Sequence, residues 1–140
     1  MTREAIVQFF ARRQALYSVL DAAGLAAVHT EDSVLDSPLA GKVVGRAAIE
    51  KVYRALFTSF PDFRIDATDI IIDGDRAVQI AMLSGTDAGG FMGLPPTGKP
   101  FRFPAVFIFT MNDGLITHMQ VVYDFTGWLM QIGNLKAKPV

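Results

Sequence analysis

The sequence predicts an α+β fold in which N-terminal helices pack on a mostly antiparallel β-sheet. Apolar residues recur at helical spacing in the N-terminal part of the chain, and strand-like apolar runs fill the rest. Two tight turn signals, Asp73-Gly74 and Asn112-Asp113-Gly114, join pairs of these runs into hairpins. With 140 residues, the chain has about the length of one domain, and we predict a single domain over residues 1–140.

The first predicted element is an amphipathic helix. Thr2 can cap a helix that begins at Arg3, and Gly24 is a natural residue for its end. The residues at helical spacing are Ile6, Phe9, Phe10, Arg13, Leu16, Tyr17 and Leu20. A short helical turn from Leu25 to His29 should follow, and a positive charge on that histidine near a helix C-terminus would be mildly stabilising, which favours a structural role.

The next part of the chain combines a short strand, a loop and a second helix. Ser33–Asp36 is the predicted strand, and the residues LAGKVVGR after Pro38 are loop-like. A second amphipathic helix should begin after Gly45 and end before Pro61. Its apolar stripe consists of Ile49, Val52, Tyr53, Leu56 and Phe57.

Four strands are predicted in the C-terminal half of the sequence. Phe63 to Asp73 and Arg76 to Asp87 form one hairpin, and Phe101 to Met111 and Leu115 to Tyr123 form the other. The Gly- and Pro-rich segment from Ala88 to Pro100 is a long loop of the kind that carries function or covers a pocket entrance.

The last hairpin is apolar on both faces of its first strand. Phe101, Phe103, Phe107 and Phe109 alternate with Val106 and Ile108, so both faces of the sheet should be covered. Helices can cover one face, and we expect a second copy of the chain, in a homodimer, to cover the other. Pro104 cannot donate a ladder hydrogen bond and should lie at a bulge or on an unpaired side.

Composition excludes several function classes. The net charge of -1 gives no basic surface for nucleic acid or an anionic membrane, and the absence of cysteine excludes thiolate nucleophiles, thiolate metal sites and disulfides. No apolar run is long enough to span a membrane, and no signal-peptide pattern is seen, which favours the cytoplasm. The mean hydropathy of +0.31 is high for a soluble domain and fits an apolar cavity or an apolar interface.

Three polar side chains share one face of the final strand. Strand alternation places His118, Gln120 and Asp124 on the same side. If that face lines a pocket, Asp124 is a candidate general acid/base, because burial among Phe, Trp and Met side chains would raise its pKa. Alternatively, Asp124 caps the helix that follows. His118 would orient the substrate or polarise a carbonyl, with Gln120 beside it as a hydrogen-bond donor, and an exposed strand position is the alternative for His118.

Other motifs point away from metals and nucleotides. The two histidines have no metal-binding spacing, and no GxSxG motif is present. The loop FMGLPPTGK lacks the spacing of a phosphate-binding loop, and we interpret it as a rigid lip over a pocket. Asp36, at the end of the first strand, is a second acidic candidate for the pocket. Met92, Leu94, Trp128 and Tyr53 are candidates for substrate contact, with ordinary packing as the alternative for each.

The sequence also resembles a known family. FMGLPPTGKPF, a DG turn and YDFTGWLMQIG, preceded by GRAAIEKVYRALFTSFPDFRI, are similar to the SnoaL-like polyketide cyclases of the NTF2-like superfamily. The resemblance implies a cone of helices and curved sheet around an apolar pocket, commonly in a dimer. It also implies that Asp124, in the YD motif, is the acid/base of an intramolecular aldol condensation.

Three functions are consistent with these residues. The first is a cyclase that closes a ring on a hydrophobic, carbonyl-bearing substrate without cofactor or metal, with Asp124 as base. The second is a related isomerase, lyase or epoxide hydrolase, of which the last needs a second carboxylate and an arginine such as Arg102 near Asp124. The third is a non-catalytic module that binds a hydrophobic ligand or a partner.

Overall fold

The computed structural model describes residues 1–136 and 138, in which four helices and six strands are found. In chain order they are α1 (Arg3–Ser18), α2 (Ala22–Ala27), β1 (His29–Ser37), β2 (Gly41–Val44), α3 (Arg46–Ser59), β3 (Arg64–Asp73), β4 (Arg76–Thr86), β5 (Pro100–Asn112), β6 (Leu115–Val122) and α4 (Phe125–Gln131). The predicted α+β class is confirmed. Within the described residues, no helix is long and apolar enough to cross a membrane.

Helix α1 begins where the sequence predicts and ends earlier. Thr2 Oγ1 accepts the backbone N–H three residues later at 3.1 Å, as an N-cap does. The helix ends at Ser18, because Leu20 adopts a left-handed backbone conformation with φ 52° that a helix cannot continue through. The predicted extension to Gly24 is therefore wrong.

Helix α2 lies earlier than the helical turn predicted from Leu25 to His29. The carboxylate of Asp21 accepts the N–H of Gly24 at 2.8 Å and caps the start of this helix. The helix ends at Ala27, and His29 is already the first residue of β1. His29 follows the C-terminus of α2, as predicted, with Val28 as the C-cap between them, but it is a strand residue with 0% exposure.

The six strands form one sheet in the order β2-β1-β6-β5-β4-β3. All neighbours are antiparallel except β1 and β6, which run parallel with Asp36 opposite Gln120. The sheet is therefore mixed and open at both edges.

Strand β2 was expected to be loop. Gly41, with φ 66°, turns the chain back so that Val43 pairs with Leu35, and β1 gains an edge partner.

Alternation along β5 defines the two faces of the sheet. The side chains that face the helices and are buried are Phe101, Phe103, Ala105, Phe107, Phe109 and Met111. Pro104, Val106 and Ile108 lie on the opposite face, which we call the outer face. Pairing with β6 begins only at Val106, so Pro104 lies in the part of β5 that has β4 alone as a strand neighbour, as its missing N–H requires.

Helix α4 closes one end of the interior with Trp128. This side chain is 2% exposed. The ring centroids of Phe60, Phe91, Phe101 and Phe103 lie between 4.8 and 5.4 Å from that of the indole. The aromatic cluster holds α3, the loop after β4 and the start of β5 around one residue, so it anchors the end of the chain to the sheet.

Candidate active site

An apolar cavity of about 70 Å³ lies between α3 and the inner face of the sheet. Its apolar lining consists of Leu35, Leu39, Val52, Leu56, Phe63, Leu83, Phe107, Met119, Val121 and Trp128. Ser37 and three tyrosines, Tyr17, Tyr53 and Tyr123, also line the cavity. Of the residues predicted to contact substrate, Tyr53 and Trp128 line this cavity.

The cavity is smaller than an aromatic ligand requires. A cavity of roughly 150 Å³ holds a benzene ring, about twice the space present here. Leu39, Val52, Leu56 and Tyr123 are half-buried lining residues, and they mark the mouth between α3 and the turn after β1. A ring-bearing ligand therefore enters only when this mouth widens.

Arg13 of α1 lies behind the tyrosines. It is 2% exposed, and its Nη2 donates to the hydroxyl oxygens of Tyr17 at 3.0 Å and Tyr53 at 3.2 Å. Its guanidinium carbon lies 4.9 Å from the ring centroids of Tyr17 and Phe109. No carboxylate of the described residues lies within ion-pair distance of Arg13. The cation is therefore held by hydroxyl groups and aromatic faces instead of a counter-ion.

His29 extends this cluster from β1. Its Nε2 lies 3.5 Å from the hydroxyl of Tyr53, and its Nδ1 lies 3.0 Å from the hydroxyl of Ser33. Burial, together with the positive charges of Arg13 and Arg46, lowers the pKa of His29 to about 3. The imidazole is therefore neutral near pH 7 and adds no second cation to the cluster.

The other ionisable groups of the cluster keep their usual charges. Burial lowers the pKa of Arg13, but the neighbouring Tyr17 and Tyr53 raise it, and the net shift is upward. Burial raises the pKa of Tyr17, and it raises that of Tyr123 to about 12. Near neutral pH the site therefore presents phenolic O–H groups in front of a permanent cation.

Hydrogen bonds at the mouth tie the turn after β1 to the end of β6. The hydroxyl of Tyr123 accepts the N–H of Leu39 at 3.2 Å, and the hydroxyl of Ser37 accepts the N–H of Ala40 at 3.0 Å. The indole N–H of Trp128 is buried and has no acceptor among the residues that the structure describes. It is thus a hydrogen-bond donor in the cavity lining that a ligand could use.

Asp124 lies outside this cavity lining, at the end of β6. It is exposed, and its Oδ1 accepts the backbone N–H of Gly127 at 2.9 Å as the N-cap of α4. The capping alternative is therefore confirmed, and the expected burial among aromatic side chains is wrong because the carboxylate turns to the helix end. The acid/base role of Asp124 stays a prediction.

Removing this cap should destabilise the protein. We expect Asp124→Ala to lower the free energy of unfolding by about 0.5–2 kcal/mol, because the N–H of Gly127 loses its acceptor. Asp124→Asn should have a much smaller effect, since asparagine caps helices as well as aspartate does. Urea unfolding of both variants measures the difference, and equal stability of all three proteins would contradict the capping role.

His118, Gln120 and Asp36 lie together on the outer face of the sheet. His118 and Gln120 share one side of β6, as alternation predicts, while Met119 and Val121 are buried on the cavity side. His118 Nε2 lies 2.8 Å from Asp36 Oδ2. The predicted roles of these residues depended on their side of β6 lining the pocket, and it does not. These roles would therefore require a ligand on the outer face.

The loop after β4 is organised by a buried carboxylate. Asp87 is 0% exposed and accepts hydrogen bonds from Gly90 N–H at 3.1 Å, from Thr97 N–H at 3.1 Å and from the hydroxyl of Thr97 at 3.0 Å. Met92 and Leu94 lie on this loop, with 58% and 47% exposure, and neither lines the cavity. Their predicted contact with substrate would require the loop to move.

Neither an epoxide-hydrolase site nor a metal site is assembled at the cavity. Arg102 is exposed on the outer face, and its backbone N–H donates to Gln131 Oε1 at 2.7 Å. Of the described residues that line the cavity, none is a carboxylate. In residues 1–136 and 138, no group of three or more His, Asp or Glu side chains is placed to hold a metal ion.

Sequence reasoning assigned no function to the Arg13, Tyr17 and His29 cluster. One signal for it was present: Arg13 occupies a position on the otherwise apolar stripe of α1. A charged residue at a core-facing position indicates either a pairing partner or a functional site. The contacts with Tyr53 and His29 could not be foreseen, because they join α1, α3 and β1 across the fold.

Comparison with known proteins supports the predicted resemblance. The family model of the SnoaL-like polyketide cyclases matches residues 7–132. A protein from Jannaschia sp. CCS1, provisionally assigned as a SnoaL-like polyketide cyclase, superposes with a TM-score of 0.81 at 24% identity, with 95% of this chain and 94% of that chain covered. Among curated proteins, none matches this sequence.

Two further solved structures share the fold. A protein with a ketosteroid isomerase-like fold from Catenulispora acidiphila has a TM-score of 0.76 at 19% identity, covering 95% of each chain. An NTF2-like protein of unknown function from Burkholderia pseudomallei has a TM-score of 0.80 at 16% identity, covering 95% of this chain and 99% of that one. The predicted NTF2-like fold is confirmed, and the chain belongs to the SnoaL-like polyketide cyclase family.

Proposed function

We propose that the protein is a cofactor-independent enzyme that closes a ring on a small hydrophobic, carbonyl-bearing substrate by an aldol-type reaction. The observation that carries this proposal is the apolar cavity lined by Tyr17 and Tyr53, whose hydroxyls accept hydrogen bonds from the buried Arg13. Such an environment binds an apolar compound and stabilises charge that develops on its carbonyl oxygen. Family membership supports the cyclase chemistry.

The reaction requires a base that takes one proton from the substrate and later returns one to it. A base takes a proton from the carbon beside a carbonyl, and the C–H electron pair forms an enolate whose oxygen accepts hydrogen bonds from the tyrosines. The enolate carbon then attacks a second carbonyl carbon of the same molecule, and the resulting alkoxide takes the proton back. Asp124 is the proposed base, because the resemblance to the family assigns the acid/base role to the aspartate of the YD motif. To act, it must turn from Gly127 toward the cavity.

Exchange of carbon-bound protons tests the enolising step. Acetophenone in D₂O should lose its methyl proton signal faster with the protein than with the heat-unfolded chain, as followed by proton NMR. Tyr53→Phe should slow this exchange roughly 100-fold, because one donor to the enolate oxygen is lost. Asp124→Asn keeps the cap of α4 and should slow exchange by about 10²-fold or more if Asp124 is the base. Exchange no faster than with the unfolded chain would contradict the enzymatic proposal.

A non-catalytic ligand-binding module is the second candidate. The observation that favours it is that no carboxylate lies among the described lining residues, while Asp124 is held by α4. Under this alternative acetophenone binds saturably, as NMR line broadening would show, without acceleration of its proton exchange. The isomerase, lyase and epoxide-hydrolase alternatives gain no comparable support.

We also propose that two copies associate through the outer face of the sheet. Val106 and Ile108 are apolar, lie on this face and are half-buried. Val122, on β6, is 49% exposed on the same face. A second sheet packed here would bury these side chains, as paired sheets do.

A charge on the outer face should therefore dissociate the dimer. We expect Ile108→Glu to shift the protein from dimer to monomer in size-exclusion chromatography with light scattering, because the interface would bury an unpaired carboxylate. Val7→Glu, at an exposed position of α1 on the helix side of the sheet, is the matched control and should leave the mass unchanged. A monomeric native protein would contradict the association.

A further inference from the structure

Arg13 is a buried cation without a carboxylate partner among residues 1–136 and 138. Burial of a charge in an apolar interior is unfavourable unless other groups compensate it, and apolar residues of similar size often stabilise such positions better. Phe9, Phe10 and Tyr17 show that this side of α1 otherwise carries aromatic residues. An arginine here is therefore explained better by a requirement for charge than by packing.

The geometry places the charge behind the cavity and two tyrosines in the cavity lining. Tyr17 and Tyr53 line the cavity, whereas Arg13 does not. Both hydroxyl oxygens accept hydrogen bonds from the same guanidinium nitrogen, Nη2, at 3.0 and 3.2 Å. Because these oxygens are acceptors toward Arg13, the hydroxyl hydrogens remain available as donors. A bond from a cation also makes a hydroxyl a stronger donor.

A hydrogen bond to Tyr53 raises the pKa of Tyr17, so without a ligand the Tyr17 hydroxyl donates to Tyr53, and the hydrogen of the Tyr53 hydroxyl is the one available to a ligand. Near Tyr53, the other possible acceptors are His29 Nε2 at 3.5 Å and Met119 Sδ at 3.9 Å, both at the outer limit of a hydrogen bond. Arg13 Nε is buried and has no acceptor among the described residues, so the guanidinium itself is only partly satisfied. The cluster therefore has more hydrogen-bond donors than acceptors, and the guanidinium of Arg13 gives it a positive charge.

We propose that Tyr17 and Tyr53, polarised by Arg13, form a binding site for a single negatively charged oxygen, and that the ligand class is compounds whose oxygen ionises to an enolate or phenolate. This inference rests on the proposed function, since it describes how that cavity recognises its substrate. Arg13 is a positioning residue, because it acts through the two tyrosines. A carboxylate ligand is also negatively charged, but its charge is spread over two oxygens, whereas the two tyrosines converge on one oxygen.

Binding of 4-nitrophenol tests the site, because its phenol and phenolate forms absorb at different wavelengths. We expect the apparent pKa of the bound compound to be lower than that of the free compound by one to two pH units, since charged hydrogen bonds favour the phenolate roughly 10- to 100-fold. The neutral ether 4-nitroanisole reports binding to the apolar cavity alone. The anion 4-nitrobenzoate distinguishes a carboxylate site from a phenolate site.

The variants separate charge from structure. Arg13→Met replaces the guanidinium with an apolar chain and should abolish the shift in the pKa of bound 4-nitrophenol while 4-nitroanisole still binds. Arg13→Lys restores the charge and should restore part of the shift. Arg12→Met, the exposed neighbour on α1, is the matched control and should behave as the native protein does. Tyr17→Phe and Tyr53→Phe should each reduce the shift without removing the cation.

Each outcome decides between the proposals. A native protein that binds 4-nitroanisole and 4-nitrophenol without any pKa shift overturns the oxyanion site and leaves the apolar cavity intact. Failure to bind either compound overturns both this inference and the proposed function. Tighter binding of 4-nitrobenzoate than of the phenolate overturns the stated ligand class. If Arg13→Met does not fold, as circular dichroism would show, the two tyrosine variants decide the question.

Discussion

The protein should lose stability steeply in mild acid because of His29. The pKa of His29 is about 3 in the folded chain, against 6.5 for an ordinary histidine, so below pH 6.5 the unfolded chain binds a proton that the folded chain does not. Stability is therefore full above pH 6.5 and falls as the pH falls toward 3. At pH 4 the loss from this one residue is about 3 kcal/mol, from the slope of roughly 1.36 kcal/mol per proton and pH unit.

Urea unfolding between pH 7 and pH 4 measures this effect, and a variant isolates it from the carboxylates. His29→Gln should show a flatter dependence of the free energy of unfolding on pH than the native protein, whatever its stability at pH 7. The second histidine, His118, lies on the outer face, and His118→Gln is the matched control, which should still lose stability steeply between pH 7 and pH 4 because it retains His29. Parallel curves for the native protein and His29→Gln would contradict the buried neutral imidazole.

Replacement of Trp128 with alanine should be the most destabilising truncation in α4. The indole is 2% exposed and packs against Phe60, Phe91, Phe101 and Phe103. Loss of a buried aromatic side chain of this kind costs about 3–5 kcal/mol, a large part of the 5–15 kcal/mol that typical domains have in total. Chemical denaturation of the purified variant should show the loss as a lower midpoint.

Two further variants separate the causes of this loss. Trp128→Phe keeps an aromatic ring and removes an indole N–H that has no acceptor among the described residues, so its cost should be well below that of alanine. Met130→Ala, on the exposed side of the same helix, should change the free energy of unfolding by no more than about 0.5 kcal/mol. Equal losses for Trp128→Ala and Met130→Ala would contradict the anchoring role of the indole.

The regular elements could be predicted from local sequence, and their exceptions have local causes. The loops Gly74-Asp75 and Asp113-Gly114 join the two hairpins, and Gly74, Asp113 and Gly114 have positive φ angles that few residues other than Gly, Asn and Asp accept. The end of α1 was missed because Leu20, a residue common in helices, adopts a left-handed conformation. Strand β2 was missed because its four residues begin with Gly41 and are followed by Gly45, so they resemble a loop until β1 pairs with them.

The site was harder to predict than the fold. Strand alternation correctly placed His118 and Gln120 on one side of β6. It could not identify which side is buried, because that depends on where the helices pack. Asp124 satisfies both a catalytic pattern and a capping pattern, and only the bond to Gly127 distinguishes them. Arg13 was visible as a charge on an apolar stripe, but its partner Tyr53 lies 40 residues away in sequence.

The parallel pairing of β1 with β6 also constrains how the chain assembles during synthesis. Asp36 and His118, which meet across this pairing, are 82 residues apart in sequence. At about 5–20 residues per second, a ribosome needs roughly 4–16 s to make the second strand after the first has left it. During that interval β1 has only β2 as a strand neighbour, and its other edge is open. Newly made chains should therefore be most prone to aggregation before β6 emerges, and a chaperone that shields this edge would act in that window.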